Sequence, residues 1–205
     1  MQAGLEESTR ANLPADDLAL VHASKKGDVT AFGELVKRYD RKLLRIAQNV
    51  IQNQEDAEDA VQEAFLKAYR KLDQFQEQAK FSTWLVRITL HESFMKLRKQ
   101  RGTMECSIDD NQADSIGARL PVEVPDWTPG PEELFSQAEL REILIKCLGK
   151  LSPALKAVFV LRDMEECSLT ETAQILDLTP TAVKTRASRA RLQLREELSK
   201  YFNSA

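Results

Sequence analysis

Glycine is scarce in this sequence, seven residues in 205, and no GxGxxG, GxxxxGKS/T or GxSxG string is present. The usual phosphate-cradling loops and nucleophile elbows are therefore absent. Histidine is scarcer still: His22 and His91 have no partner at metal-ligand spacing and no HExxH occurs, so no zinc or other metal site is expected. The three cysteines, Cys106, Cys147 and Cys167, are odd in number, widely spaced and without a CxxC pair, which fits reduced thiols. No apolar run approaches the roughly 20 residues of a membrane span. The N-terminus, MQAGLEESTRANLPADD, is acidic and polar rather than basic and then apolar like a signal peptide, so a cytoplasmic protein is expected. Acidic pairs abound, but on polar helical faces where solvation explains them. Nothing in the chain asks for an enzyme or a cofactor.

What is present is helical periodicity. Apolar residues make up 42% and charged residues 30% of the chain, enough for real cores, and no alternating pattern runs long enough to argue for a sheet. The expected fold is all-α: two small helical domains joined by a flexible acidic linker. Residues 1–16 read as a disordered tail and residues 17–101 as nearly continuous helix, punctuated at 26–28, 52–54 and 74–80. Residues 102–131 read as the linker, with four of the seven prolines and no helical stripe. Residues 132–205 form the second domain, with helices over about 131–148 and 153–164, then a helical hairpin.

Charge follows this layout. Ten acids oppose only Arg119 and Arg141 between Glu105 and Glu142, whereas six bases oppose Glu196 and Glu197 between Lys184 and Lys200. The formal net charge of -3 thus hides a basic hairpin behind an acidic tether.

In that hairpin, Val183, Ala187, Ala190 and Leu194 share one stripe at about 100° per residue. Thr181, Thr185 and Ser188 form a small polar ridge on the opposite side, flanked by Lys184 and Arg191 along one edge and Arg186 and Arg189 along the other. Thr179 suits the N-cap and Pro180 the first helical position. Upstream, CSLTETAQILDL reads as a short helix with Leu169, Thr172, Ala173 and Leu176 inward, and so little chain remains before Thr179 that the two helices must cross steeply. This is the logic of a helix-turn-helix, whose second helix would offer its ridge to base edges and its flanks to phosphates. Asp177 stands where the turn often carries Gly, and Asp tolerates left-handed backbone well. An αα-hairpin with a solvated basic face has the same spacing.

A second basic pattern lies in KFSTWLVRITLHESFMKLRKQR. Phe81, Trp84, Leu85, Ile88 and Met95 form an apolar stripe, Lys80, Arg87, His91 and Arg98 line another face, and Lys99 and Arg101 extend the charge. Phe75 precedes it across a polar loop. Rings beside cations suit unstacked bases, although buried core rings have the same spacing. Ahead of it, NQEDAEDAVQEAFLKAYRKL places Ala57, Ala60, Val61, Ala64, Phe65, Ala68 and Leu72 on one stripe. Asp56, Asp59, Gln62 and Glu63 form an acidic surface suited to a basic partner helix; acid first and base last also simply complements the helix dipole.

Together these patterns resemble bacterial RNA polymerase sigma factors of the extracytoplasmic-function type. DAEDAVQEAFLKAY resembles that family's core-binding segment, FSTWLVRITLHESFMKLRK its strand-opening segment, and the stretch from LSPALKAVF to RLQL its C-terminal domain. His91 and Lys80 depart from the residues common at their positions. The resemblance implies that Asp56, Asp59, Gln62, Glu63 and Phe65 bind core polymerase. Phe75, Lys80, Phe81, Trp84, Arg87, His91, Arg98, Lys99 and Arg101 would handle single-stranded promoter DNA, with a flipped base near residues 74–80. Thr181, Lys184, Thr185, Arg186, Ser188, Arg189 and Arg191 would read duplex promoter DNA. The linker would run through the polymerase's nucleic-acid channel, and an anti-sigma factor is implied as a further partner. A conventional helix-turn-helix regulator would explain the hairpin alone, and a helical adaptor would make both basic faces mere surface.

Overall fold

The computed structural model describes residues 16–100 and 137–202, and every regular element among them is helical. In chain order these are α1 (Asp17–Lys25), α2 (Val29–Ile51), α3 (Gln54–Arg70), a short 3-10 turn (Leu72–Gln74) and α4 (Phe81–Gln100). After the linker come α5 (Gln137–Lys150), α6 (Pro153–Phe159) continuing into a π-helical turn (Val160–Met164), α7 (Leu169–Leu176) and α8 (Pro180–Phe202). The expected linker, nearly all of the expected tail, Cys106 and Arg101 lie outside the described residues.

The helix starts follow from local chemistry. Asp28 accepts hydrogen bonds from the Thr30 and Ala31 amides, Asn53 from that of Asp56, and Ser152 from that of Leu155 with Pro153 opening the helix. Each cap satisfies donors that the first turn leaves without a helical partner. At α7, the Glu171 amide donates to Ser168 Oγ at 3.1 Å and the Ser168 amide donates back to Glu171 Oε2 at 3.0 Å, a reciprocal capping box. Thr179 Oγ1 accepts from the Ala182 amide at 3.1 Å and starts α8.

α2, α3 and α4 pack around a core that includes Leu35, Leu43, Ile46, Val50, Leu85 and Leu90. Fully burying such a side chain contributes about 1.5–3 kcal/mol. Ala57, Ala60, Ala64 and Ala68 give α3 a smooth buried face on which its neighbours can approach closely. Thr89 and Ser93 are buried inside α4 and donate to the carbonyls of Leu85 and Thr89, so neither hydroxyl is orphaned. In the C-terminal unit, Cys147, Leu148 and Leu151 pack on Ala190 and Leu194, while Val158 and Ala173 pack on Val183 and Ala187.

One expectation changes: Met95 is 48% exposed instead of buried, and Val86, Leu90 and Leu97 complete the inner face of α4. The two helical units expected on either side of the linker are both present, and they also touch one another. Val160, Leu161 and Ile175 of the C-terminal unit belong to the same buried cluster as the core of α2 to α4. Among the described residues no helix is long and apolar enough to cross a membrane.

Candidate nucleic-acid interface

On α8 the stripe of Val183, Ala187, Ala190 and Leu194 is buried, which fixes the rotation of the helix and turns the opposite side outward. Thr181, Lys184, Thr185, Ser188 and Arg191 are exposed; Arg186 and Arg189 are half-buried. Asp177 holds the left-handed turn at φ 57° and ψ 47°, as its tolerance for that region allows. Two details modify the ridge and flanks. Thr185 Oγ1 donates to the Thr181 carbonyl at 3.1 Å, and Arg191 pairs with Asp163 of the π-helical turn at 2.8 Å. These contacts hold both side chains in place ahead of any ligand.

The second basic face begins at Lys80, just ahead of α4, and runs along that helix; Lys80, Arg87, His91, Arg98 and Lys99 are all exposed. The aromatics beside it are arranged otherwise than base stacking by each ring requires. Phe75 and Phe81 are only 4% and 2% exposed, and Trp84 is half-buried. Their rings touch one another, with centroids 5.7 Å apart for Phe75 and Phe81, 5.3 Å for Phe75 and Trp84, and 5.8 Å for Phe81 and Trp84. In this conformation Phe75 and Phe81 are core rings that buttress the loop, not an open stacking platform. Lys25 donates to the Phe75 carbonyl at 2.8 Å, and His22 Nε2 lies 2.6 Å from Glu77 Oε1, so α1 grips the loop at both points.

Residues 77–83 line one side of a cleft of about 610 Å³, whose other walls include Asp16, Asp17, Glu171 and Gln174. Lys80 Nζ lies 2.7 Å from Glu171 Oε1, and Arg87 Nη2 lies 3.4 Å from Asp177 Oδ2. Hydrogen bonds from Lys80 and then from Ser168 pull the Glu171 carboxyl down to about 2, so it is fully charged at neutral pH. Two cations of this second basic face thus meet carboxylates of α7 and of the left-handed turn that follows it.

The acidic face of α3 shows Asp59, Gln62 and Glu63 exposed and Asp56 half-buried. Asp59 pairs with Lys96 of α4 at 2.7 Å. Phe65 is instead a buried residue, 9% exposed, at the floor of a groove of about 730 Å³ between α2 and α3. Val29, Phe32, Val36, Leu66 and Tyr69 also line it, with Val29 65%, Leu66 50% and Tyr69 44% exposed. This groove is not part of the sequence reading. Its signal was available: Val29, Phe32 and Val36 recur at helical spacing beside the stripe that Ala31 and Leu35 bury, so α2 carries more apolar positions than one core face needs.

Burial pushes the Cys147 and Cys167 thiols up, which favours their protonated form at neutral pH. Among the described residues no three His, Cys, Asp or Glu side chains gather as a metal site.

Comparison with known proteins agrees with this geometry. The sigma-70 region 2 family model matches residues 35–103 and the sigma-70 region 4 model matches residues 141–194. The chain is 33% identical over 174 residues to the ECF RNA polymerase sigma factor SigW of Bacillus subtilis, covering 85% of this chain and 92% of that protein. It is 34% identical over 179 residues to the ECF RNA polymerase sigma-E factor of Escherichia coli K12, covering 85% and 90%. Among solved structures, CnrH in complex with the cytosolic domain of CnrY superposes with a TM-score of 0.65 at 26% identity, over 90% of this chain and 97% of that one. With both sigma-70 regions present in order, each coinciding with one helical unit, and with relatives matched almost end to end, the chain belongs to the ECF RNA polymerase sigma factors of the sigma-70 family.

Proposed function

We propose that this sigma factor divides its work as follows. It binds core RNA polymerase through the exposed acids of α3, Asp56, Asp59, Gln62 and Glu63, together with the apolar groove floored by Phe65. It opens the downstream promoter element with the cations of α4, Lys80, Arg87, His91, Arg98 and Lys99, continued by Arg101, and with the loop buttressed by Phe75, Phe81 and Trp84. It reads the upstream element as duplex through α8, Thr181, Thr185 and Ser188 meeting base edges and Lys184, Arg186, Arg189 and Arg191 meeting phosphates. The domain limits that go with this are 17–101 and 132–205, with a tail before them and the acidic linker between them. The observation that carries the reading is that each sigma region presents one basic face over a buried apolar stripe. A conventional helix-turn-helix regulator needs only the second of these.

Sigma factors are initiation factors and not enzymes, so the chemistry of RNA synthesis stays with core polymerase. A cytoplasmic location follows from that partnership. An anti-sigma factor is a further partner, in keeping with solved relatives captured with partner proteins: CnrH with the cytosolic domain of CnrY, and a sigma factor RpoE with the anti-sigma factor NepR.

Capture of core polymerase by the tagged chain, followed by promoter-dependent transcription with the reconstituted holoenzyme, tests the reading as a whole. The strand-opening assignment has its own test. Lys80→Ala with Arg87→Ala is expected to impair open-complex formation more than initial promoter binding, and a pre-melted bubble should restore much of the lost transcription. Permanganate reactivity of promoter thymines measures the melting directly. If melting survives the loss of both cations, they are surface residues.

A further inference from the structure

We propose that Lys67 and Glu92 fix the hydrogen-bonding edge that His91 turns toward promoter DNA, so that His91 selects a base with an exocyclic amino group, adenine or cytosine, at one position of the melted strand. This deepens the reading of α4 as the strand-opening face and rests on it.

The chain of contacts begins between α3 and α4. Glu92 is only 7% exposed, and a carboxylate so placed needs partners to keep its charge. Lys67 of α3 donates to Oε2 at 2.5 Å, and His91 Nδ1 lies 3.0 Å from Oε1. Burial works against the charge of Glu92, yet the hydrogen bonds from Lys67 and His91 hold its carboxyl below the usual range. An ionised carboxylate can only accept, so the hydrogen of the contact with His91 sits on Nδ1. Lys67, seated on the other oxygen, keeps the carboxylate turned with Oε1 toward the ring.

The consequence falls on the other ring nitrogen. A neutral imidazole carries one N–H, and with that hydrogen on Nδ1 the lone pair is on Nε2. The His91 side chain is 63% exposed, and among the described residues its Nε2 has no partner. Arg87, Arg98 and Lys99 on the same helix can only donate. His91 is thus an acceptor set among donors. Phosphate oxygens suit the cations; an acceptor suits an N–H. On the base edges that the major groove displays, adenine and cytosine offer an amino hydrogen, whereas guanine and thymine offer carbonyl oxygens. Acceptor against acceptor leaves two desolvated groups unpaired, and that penalty is the source of the discrimination.

The test uses reconstituted holoenzyme at pH 8, on the alkaline side of the ordinary imidazole range. Promoter bubbles randomised over the melted nontemplate strand are selected by binding and sequenced, for the parent and for His91→Ala, Glu92→Gln, Lys67→Met and Lys67→Arg. Binding of each variant to core polymerase checks that it is folded. The parent is expected to favour adenine or cytosine over guanine or thymine about tenfold at one position. His91→Ala, a change at an exposed site, should lose that preference while other positions keep theirs. In Glu92→Gln the new amide can accept from Nδ1 or donate to it, so the ring takes either tautomer and the preference should fall to about threefold or less. Lys67→Met frees the carboxylate to turn and should weaken the preference likewise, and Lys67→Arg should restore it. A merely structural contact would change thermal unfolding, or binding to all bubbles alike, and leave base preference as it is. That result in Glu92→Gln and Lys67→Met overturns the inference, as does a preference that survives His91→Ala or one that favours guanine or thymine. Lys80→Ala with Arg87→Ala separates it from the reading beneath it. Normal melting of duplex promoter there removes the strand-opening assignment and this inference with it, whereas impaired melting beside an unchanged base preference in His91→Ala removes this inference alone.

Discussion

Replacing Asp59 and Glu63 by lysine is expected to abolish binding to core polymerase. Both side chains are exposed on α3 beside an apolar groove, so the face offers charge at its rim and contact area at its centre. Reversal sets like charges against a basic partner, a penalty of several kcal/mol across an interface, or at least about a hundredfold in affinity. The fold should tolerate it. The Asp59–Lys96 pair is partly exposed, and such pairs contribute about 0–1 kcal/mol. Thermal unfolding should therefore shift little while the affinity measured by titration against core collapses. Leu66→Ala should act differently, because an exposed leucine at the groove contributes packing and not steering; the loss should appear in the dissociation rate with little change in the association rate. Unchanged affinity in the charge-reversed chain removes the docking assignment.

The second large effect concerns α8, where the flanks and the ridge should separate in their salt dependence. Changing Lys184, Arg186 or Arg189 to Ala should weaken duplex binding about equally for all sequences and lower the salt slope by about one unit per lost phosphate contact. Arg191→Ala should do the same and also release Asp163. Substitutions at Thr181 and Ser188 should instead change which upstream element is preferred, at roughly 1–3 kcal/mol per good base contact, with the salt slope intact. Thr185 already donates its hydroxyl hydrogen to the Thr181 carbonyl, so towards a base it offers its methyl group and an accepting oxygen but no donor. Holoenzyme binding to a panel of duplexes at several salt concentrations distinguishes these outcomes. If the ridge leaves preference untouched while the flanks alter it, the helix lies turned in the groove.

The cation concentration on α8 and the rotation that displays it were legible in the sequence because both are local. A buried stripe repeats every three or four residues, and Thr179, Pro180 and Asp177 mark their own positions through caps and backbone preference. The same holds for the breaks between α1, α2, α3 and α4. What periodicity reports is that a face is buried, never against what. Phe75 and Phe81 have the same spacing whether they wait for a base or fill a core, and only the packing of α4 and its preceding loop against Tyr39 and Trp84 decided for the core. Ile175 lies outside the inward set of Leu169, Thr172, Ala173 and Leu176 that the spacing picks out, yet it is buried against the N-terminal unit.

The contacts that close the molecule, Arg45 with Glu165, Lys80 with Glu171 and Arg87 with Asp177, join residues roughly a hundred positions apart. Lys80, Arg87 and Asp177 stand out in the sequence for other reasons, but nothing in it marks which charge each one meets. The sequence by itself determined the helices, their caps and which faces carry charge, since these depend on neighbours within a turn or two. Only the tertiary structure decided which charged faces are turned toward each other, because that depends on how two separately amphipathic units share one apolar core.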